Sequence, residues 1–135
     1  MFHLDESGYF PRCVDFGTQG DSDDTLFLAY ERFHKTLTEV VAEGKKDHAS
    51  ICKMGISLIS AIERLHSVGL IHQNIKPDNI MTANENSHFD LALIDFGSAD
   101  EYKTLFDKNT EKKHRVNELG NTFIGCKTFA SLNVT

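Results

Sequence analysis

The sequence predicts a mixed α/β fold, and three observations carry that prediction. Two apolar, aromatic-rich runs of strand length, Tyr9–Phe16 and Thr25–Phe33, flank a stretch rich in Gly, Asp and Ser. One long amphipathic helix follows, from about Asp47 to Val68. Two short strands, Ile80–Met81 and Phe89–Ile94, then surround the polar turn Ala83–His88.

Taken in order, Tyr9–Phe16 alternates and ends at Gly17, so it reads as a strand. Gly17–Asp24 supplies turn residues, and Asp15-Phe16-Gly17 is read as turn punctuation only. Thr25–Phe33 completes a hairpin. His34–Glu43 reads as a short helix or turn closed by Gly44. Ile51, Met54, Leu58, Ile59, Ile62 and Leu65 then recur at spacings of three and four, which defines one helix face. Asp47 is the expected N-cap and Gly69 the C-terminal stop. Leu70-Ile71 is a short strand leading into a loop at His72, and Ser98–Thr122 is polar and irregular by pattern.

Composition bounds the function. The chain has 135 residues, 40% hydrophobic and 25% charged, which suits one folded domain. A net charge of −6 argues against nucleic-acid or anionic-membrane binding. The mildly basic cluster Lys108–Arg115 also carries Glu111 and reads as a solvated loop. Three widely spaced cysteines form no CxxC pair, which fits a reducing cytoplasmic or nuclear compartment. Seven scattered histidines show no zinc-binding spacing. No apolar run approaches the ~18 residues of a membrane span, and Met1–Glu6 lacks the features of a signal peptide.

Two stretches carry chemistry. The first is His72-Gln73-Asn74-Ile75-Lys76-Pro77-Asp78-Asn79, and the second is Leu93-Ile94-Asp95-Phe96-Gly97. A lone Asp-Phe-Gly is common as a turn after a strand. The order of helix, short strand, H-x-x-x-K-P-x-N, two short strands and Asp-Phe-Gly is far more specific. It resembles the catalytic and magnesium loops of the eukaryotic protein kinases, H-R-D-x-K-x-x-N and D-F-G. Ile62–His72 is similar to the helix and strand that lead into that loop. Gly125-Cys126-Lys127-Thr128-Phe129-Ala130-Ser131-Leu132-Asn133 resembles the G-T-x-x-[FY]-[AT]-S-[LIV]-[ND] segment of the casein kinase 1-like group, with its tau-tubulin kinase and vaccinia-related kinase branches.

The resemblance implies a partial kinase-like α/β fold across residues 1–135. Residues 9–33 would be the end of the small lobe and the hinge, and residues 34–135 the front of the large lobe through the activation segment. It implies ATP and Mg²⁺ as ligands and a protein substrate or an active kinase relative as partner, with no nucleic acid and no membrane. Tyr30 would stand beside the adenine pocket, Glu31 and Phe33 would offer backbone groups to the base, and Met81 would form the pocket floor. Lys76 would face the transferring phosphoryl group, and Asn79 and Asp95 would hold the metal.

Three departures lower the expected activity. Asn74 stands where the catalytic aspartate belongs, and a neutral amide cannot take a proton. Gln73 replaces the arginine that pairs with a phosphorylated activation segment, and Cys126 replaces the threonine after Gly125. Neither G-x-G-x-x-G nor the V-A-I-K lysine precedes the hairpin. The expectation is a Ser/Thr-type kinase domain that is inactive or impaired. The alternatives are a non-catalytic scaffold or regulatory pseudokinase, or an incomplete kinase gene product. In the last case the face of the Asp47–Val68 helix would expose apolar surface.

Overall fold

In the computed structural model, residues 8–19, 25–85, 87–101 and 123–131 are described. Within them the chain runs as a hairpin, two helices and a set of short strand pairs. The hairpin is β1 (Cys13–Gln19) and β2 (Thr25–Tyr30), antiparallel, with Phe16 opposite Leu28 and Gly17 opposite Phe27. The helices are α1 (Leu37–Ala42) and α2 (His48–Ser67). β3 (Leu70–Ile71) pairs antiparallel with β6 (Asp100–Glu101), and β4 (Ile80–Asn84) with β5 (Ser87–Leu93).

Each helix is bounded by the chemistry of its ends. At α1, Thr36 and Glu39 form a reciprocal capping box: Glu39 N donates to Thr36 Oγ1 at 3.2 Å and Thr36 N to Glu39 Oε2 at 2.7 Å. At α2, the Asp47 carboxylate accepts from Ser50 N at 2.9 Å and from Ser50 Oγ at 2.6 Å. That satisfies one of the amides left open by the first turn. These bonds hold the Glu39 and Asp47 carboxyls below the ordinary carboxylate range. At the far end Val68 and Gly69 donate to Leu65 O and His66 O, and Gly69 takes φ +88. Only glycine adopts that conformation without a steric penalty, so the helix stops there.

The core lies where α2 packs on β5 and β3. Met54, Ala61 and Leu65 of α2 join Ile80, Leu91 and Leu93 of the strands, Val40 of α1 and Phe10. Burying each large member contributes about 1.5–3 kcal/mol. The predicted helix face is covered only in part. Leu58 and Ile62 pack against this core, but Ile51 and Ile59 stay 55% and 67% exposed. Ala61, which the apolar pattern skipped, is buried because β5 approaches that side.

Several predicted boundaries shift. β1 begins four residues after Tyr9, because the Tyr9–Pro11 segment runs to β5 instead: Leu93 N donates to Tyr9 O at 2.9 Å. Asp15-Phe16-Gly17 is not turn punctuation but the middle of β1, and the Phe27 ring lies over Gly17, 3.0 Å from where a Cβ would stand. β2 ends at Tyr30, so Glu31–Phe33 form a loop. β4 continues to Asn84, which pairs with Ser87, leaving a much tighter turn than predicted. Asp100–Glu101, within the region read as irregular, is a strand because Leu70–Ile71 offers it an edge. Residues 1–6, 20–24, 102–122, 132 and 133, including the basic cluster at 108–115, lie outside the described residues.

Candidate active site

The centre of the site is a buried histidine. His72 is 1% exposed, and its two ring nitrogens have different partners. Asn74 N donates to His72 Nδ1 at 3.3 Å, so Nδ1 is the bare nitrogen. His72 Nε2 therefore carries the hydrogen and donates to Ile94 O at 3.0 Å. One neutral imidazole thus ties the loop at Asn74 to the strand end at Ile94. Its ring also packs against Phe96, tilted at 50° with 4.9 Å between centroids.

Asn79 supplies the second tie. It is 6% exposed, and its Nδ2 donates to Asn74 O at 3.0 Å and to Asp95 Oδ2 at 3.3 Å. Both partners are acceptors, which fixes the amide orientation and turns Oδ1 away from them. The Asn79 backbone is held as well, donating to Lys76 O at 2.9 Å and accepting from Ile94 N at 3.0 Å. Pro77 opens the short 3₁₀ turn Pro77–Asn79 that makes this geometry local. Asn79 thus contacts Asn74 O and Asp95 Oδ2 through its side chain and Lys76 O through its backbone.

Two residues of this centre have left-handed backbones, Gln73 and Asp95, each with φ 63. Such a conformation costs a non-glycine residue about 1–2 kcal/mol. It persists when the surroundings over-determine it, and it concentrates at functional sites. Neither position was singled out by the motif spacing. Gln73 carries a further constraint: a Cβ at Gly125 (φ +112) would lie 2.2 Å from Gln73 O. The segment at 123–131 therefore docks directly on the loop, and with Gln73 and Ile75 it lines a small cavity of 180 Å³.

The predicted base-binding residues lie at the end of β2, on the segment that follows it, and on β4. His34 N donates to Thr82 O at 3.0 Å, and Thr82 N to Lys35 O at 2.8 Å. Thr36 also bridges to Met81. This zipper brings the loop that includes Glu31 and Phe33 alongside β4 and Met81. Tyr30 is 48% exposed at the end of β2. The Glu31 side chain meets Arg12, whose N donates to Oε1 at 3.3 Å and whose Nε lies 3.7 Å from Oε2.

Asn79 and Asp95 offer an amide oxygen and a carboxylate, the hard oxygen donors that suit magnesium. Among the described residues no group of three or more His, Cys, Asp or Glu is arranged to hold a metal alone. A cation here would draw its remaining ligands from phosphate oxygens and water, as magnesium does in phosphoryl-transfer sites. Among the described residues Lys76 has no carboxylate partner within ion-pair distance.

The protein kinase domain family matches residues 6–120, which include every site residue predicted from the sequence. The chain belongs to that family. This kinase domain is 33% identical over 113 residues to the serine/threonine-protein kinase ppk31 of Schizosaccharomyces pombe, covering 82% of this chain and 10% of that protein. It is 28% identical over 116 residues to 3-phosphoinositide-dependent protein kinase 1 of Homo sapiens, covering 86% and 19%. It is 25% identical over 79 residues to myosin light chain kinase A of Dictyostelium discoideum, covering 57% and 27%. The kinase domain thus spans 27% or less of the length of these three relatives. Its fold class, mixed α/β and kinase-like, agrees with the sequence prediction.

Proposed function

We propose that this kinase domain binds ATP with magnesium and is impaired in phosphotransfer to a protein hydroxyl. The observation that carries the reading is the Asn79–Asp95 contact at 3.3 Å beside Asn74. Magnesium, when bound, would neutralise phosphate charge at Asn79 and Asp95. Lys76 would add a positive charge beside the transferring group, and the loop at Glu31–Phe33 with Met81 would receive the base. Asn74 can accept a hydrogen bond from a substrate hydroxyl and orient it, but has no site for the proton. Loss of a positioned base lowers the rate by about 10²–10⁴-fold.

The casein kinase 1-like group is the proposed branch, supported by Gly125–Ser131, whose glycine the close approach to Gln73 demands. A second reading is a scaffold or regulator of an active relative. Exposed Ile56 (66%) and Ile59 (67%) of α2 offer it an apolar surface, and the incomplete-product alternative expects the same exposure. A cytoplasmic or nuclear location accords with its three free cysteines.

Thermal-shift titration with ATP and magnesium tests the binding. Stabilisation of the wild type that Asp95→Ala abolishes is expected, and no stabilisation of the wild type sinks the reading. A phosphotransfer assay on the wild type and Asn74→Asp tests the impairment. Activity that is robust in the wild type overturns the assignment to Asn74.

A further inference from the structure

We infer that Phe10, which no motif singles out, is a positioning residue for the metal-site carboxylate of Asp95. The proposal rests on how Asp95 is held. Its carboxylate is on an exposed residue, so packing of its own side chain does not fix it. Beside the hydrogen bond that Asn79 Nδ2 donates to Oδ2, its two chain neighbours hold it. Ile94 is tied on both sides, its N donating to Asn79 O and its O accepting from His72 Nε2. Phe96 is held between two rings: His72 at 4.9 Å, and Phe10 at 5.8 Å with the planes at 74°. Edge-to-face pairs at such distances are favourable.

Phe10 is itself anchored. It is 6% exposed and belongs to the main core, followed by buried Pro11. The preceding residue accepts a backbone bond from Leu93 N at 2.9 Å. So the segment before β1 is stitched to the chain two residues ahead of Asp95, and its next side chain packs on the residue just after it. With Ile94 and Phe96 both immobilised, Asp95 is left in the left-handed conformation (φ 63, ψ 72) that turns its carboxylate to Asn79. Without the Phe10 ring, Phe96 loses one wall and the backbone at Asp95 is free to relax to an unstrained conformation.

Amide exchange measured by NMR tests this without any nucleotide. The reporter is Ala99 N–H, bonded to Phe96 O at 3.0 Å. In Phe10→Ala its exchange is expected to accelerate about tenfold relative to Val40→Ala, a core truncation used to match lost stability, since releasing a left-handed residue frees energy of that order. Phe10→Tyr, which keeps the ring, restores the wild-type rate. If Phe10→Ala does not fold, Phe10→Leu keeps apolar volume and removes only the edge-on ring, and the same acceleration is expected. The second readout rests on the nucleotide reading above: Phe10→Ala or Phe10→Leu loses the magnesium-dependent part of ATP stabilisation, and Val40→Ala keeps it. Equal Ala99 exchange in the Phe10 and Val40 variants overturns the proposal. If the wild type shows no ATP–magnesium stabilisation, the proposed function fails, and the Ala99 exchange alone decides for or against the role of Phe10.

Discussion

A single Cβ separates a docked from an undocked segment at residues 123–131. Gly125 lies with φ +112, and a Cβ there would meet Gln73 O at 2.2 Å, far inside any contact distance. The obstruction is backbone, and Gln73 is already strained with φ 63, so the loop has no slack to give. Gly125→Ala should therefore release residues 123–131 rather than distort the site. Cys126, half-buried in the docked segment, reports this. Its reaction with a thiol reagent should become faster in Gly125→Ala, with the exposed Cys13 and Cys52 unchanged. Unchanged labelling of Cys126 would mean that the segment does not depend on the close approach. At this scale the sequence was informative about chemistry but silent about geometry. Lys76, Asn79 and Asp95 could be named from motif spacing. The left-handed backbones of Gln73 and Asp95 could not, because φ > 0 is uncommon at non-glycine positions and aspartate's modest enrichment there does not single out one position.

Helix boundaries were legible because their signals are local. Asp47 and Gly69 bracket α2 within a residue of where the chain enters and leaves it. The strands were less so, since β6 exists only through its partner β3, thirty residues away in sequence, and no two-residue strand has a periodicity to read. Likewise the burial of half the α2 stripe depends on what packs there, not on its spacing. The caps also give the helices a pH dependence with a definite sign. Asp47 is held below the ordinary carboxylate range by the Ser50 hydroxyl and amide, and Glu39 by Thr36. Groups shifted down bind fewer protons folded than unfolded in acid. Their stabilisation is fully present above the ordinary carboxylate range and is lost as pH falls through the lowered folded values. Acid titration by far-ultraviolet circular dichroism should show helicity falling in that window. Asp47→Asn should start lower at neutral pH and lose less on acidification. An unaltered acid limb in Asp47→Asn would show that the cap does not couple to the fold.

At the scale of the whole molecule, stability is divided unevenly, and the core shows where. Among the described residues, every fully buried large side chain belongs to α1, the His72 strand-end, β4 or β5, and none comes from the β1–β2 hairpin. Within the hairpin Val14, Phe16, Leu26 and Leu28 are 60%, 75%, 81% and 62% exposed. Its base is closed by Glu31 N donating to Arg12 O at 3.2 Å and by the exposed Arg12–Glu31 pair, which contributes little in water. An isolated two-stranded hairpin is marginal in water. The hairpin should therefore open while α2 and the β4–β5 pair remain folded, as a separate cooperative unit. Native-state hydrogen exchange distinguishes this from a single transition. Amides of Gly17 and Phe27, paired across the hairpin, should exchange at least roughly tenfold faster than those of Leu58 and Leu91, a gap of ~1.4 kcal/mol or more in opening free energy. Low denaturant should speed only the second pair, because the hairpin exposes little further apolar surface when it opens. If all four amides share one opening free energy and one denaturant dependence, the hairpin is part of the global unit and its exposed apolar face is sustained by contacts at its base. The measurement also bears on function. The base binding proposed above at the Glu31–Phe33 loop, which continues from β2, should protect Gly17 and Phe27 when ATP and magnesium are added.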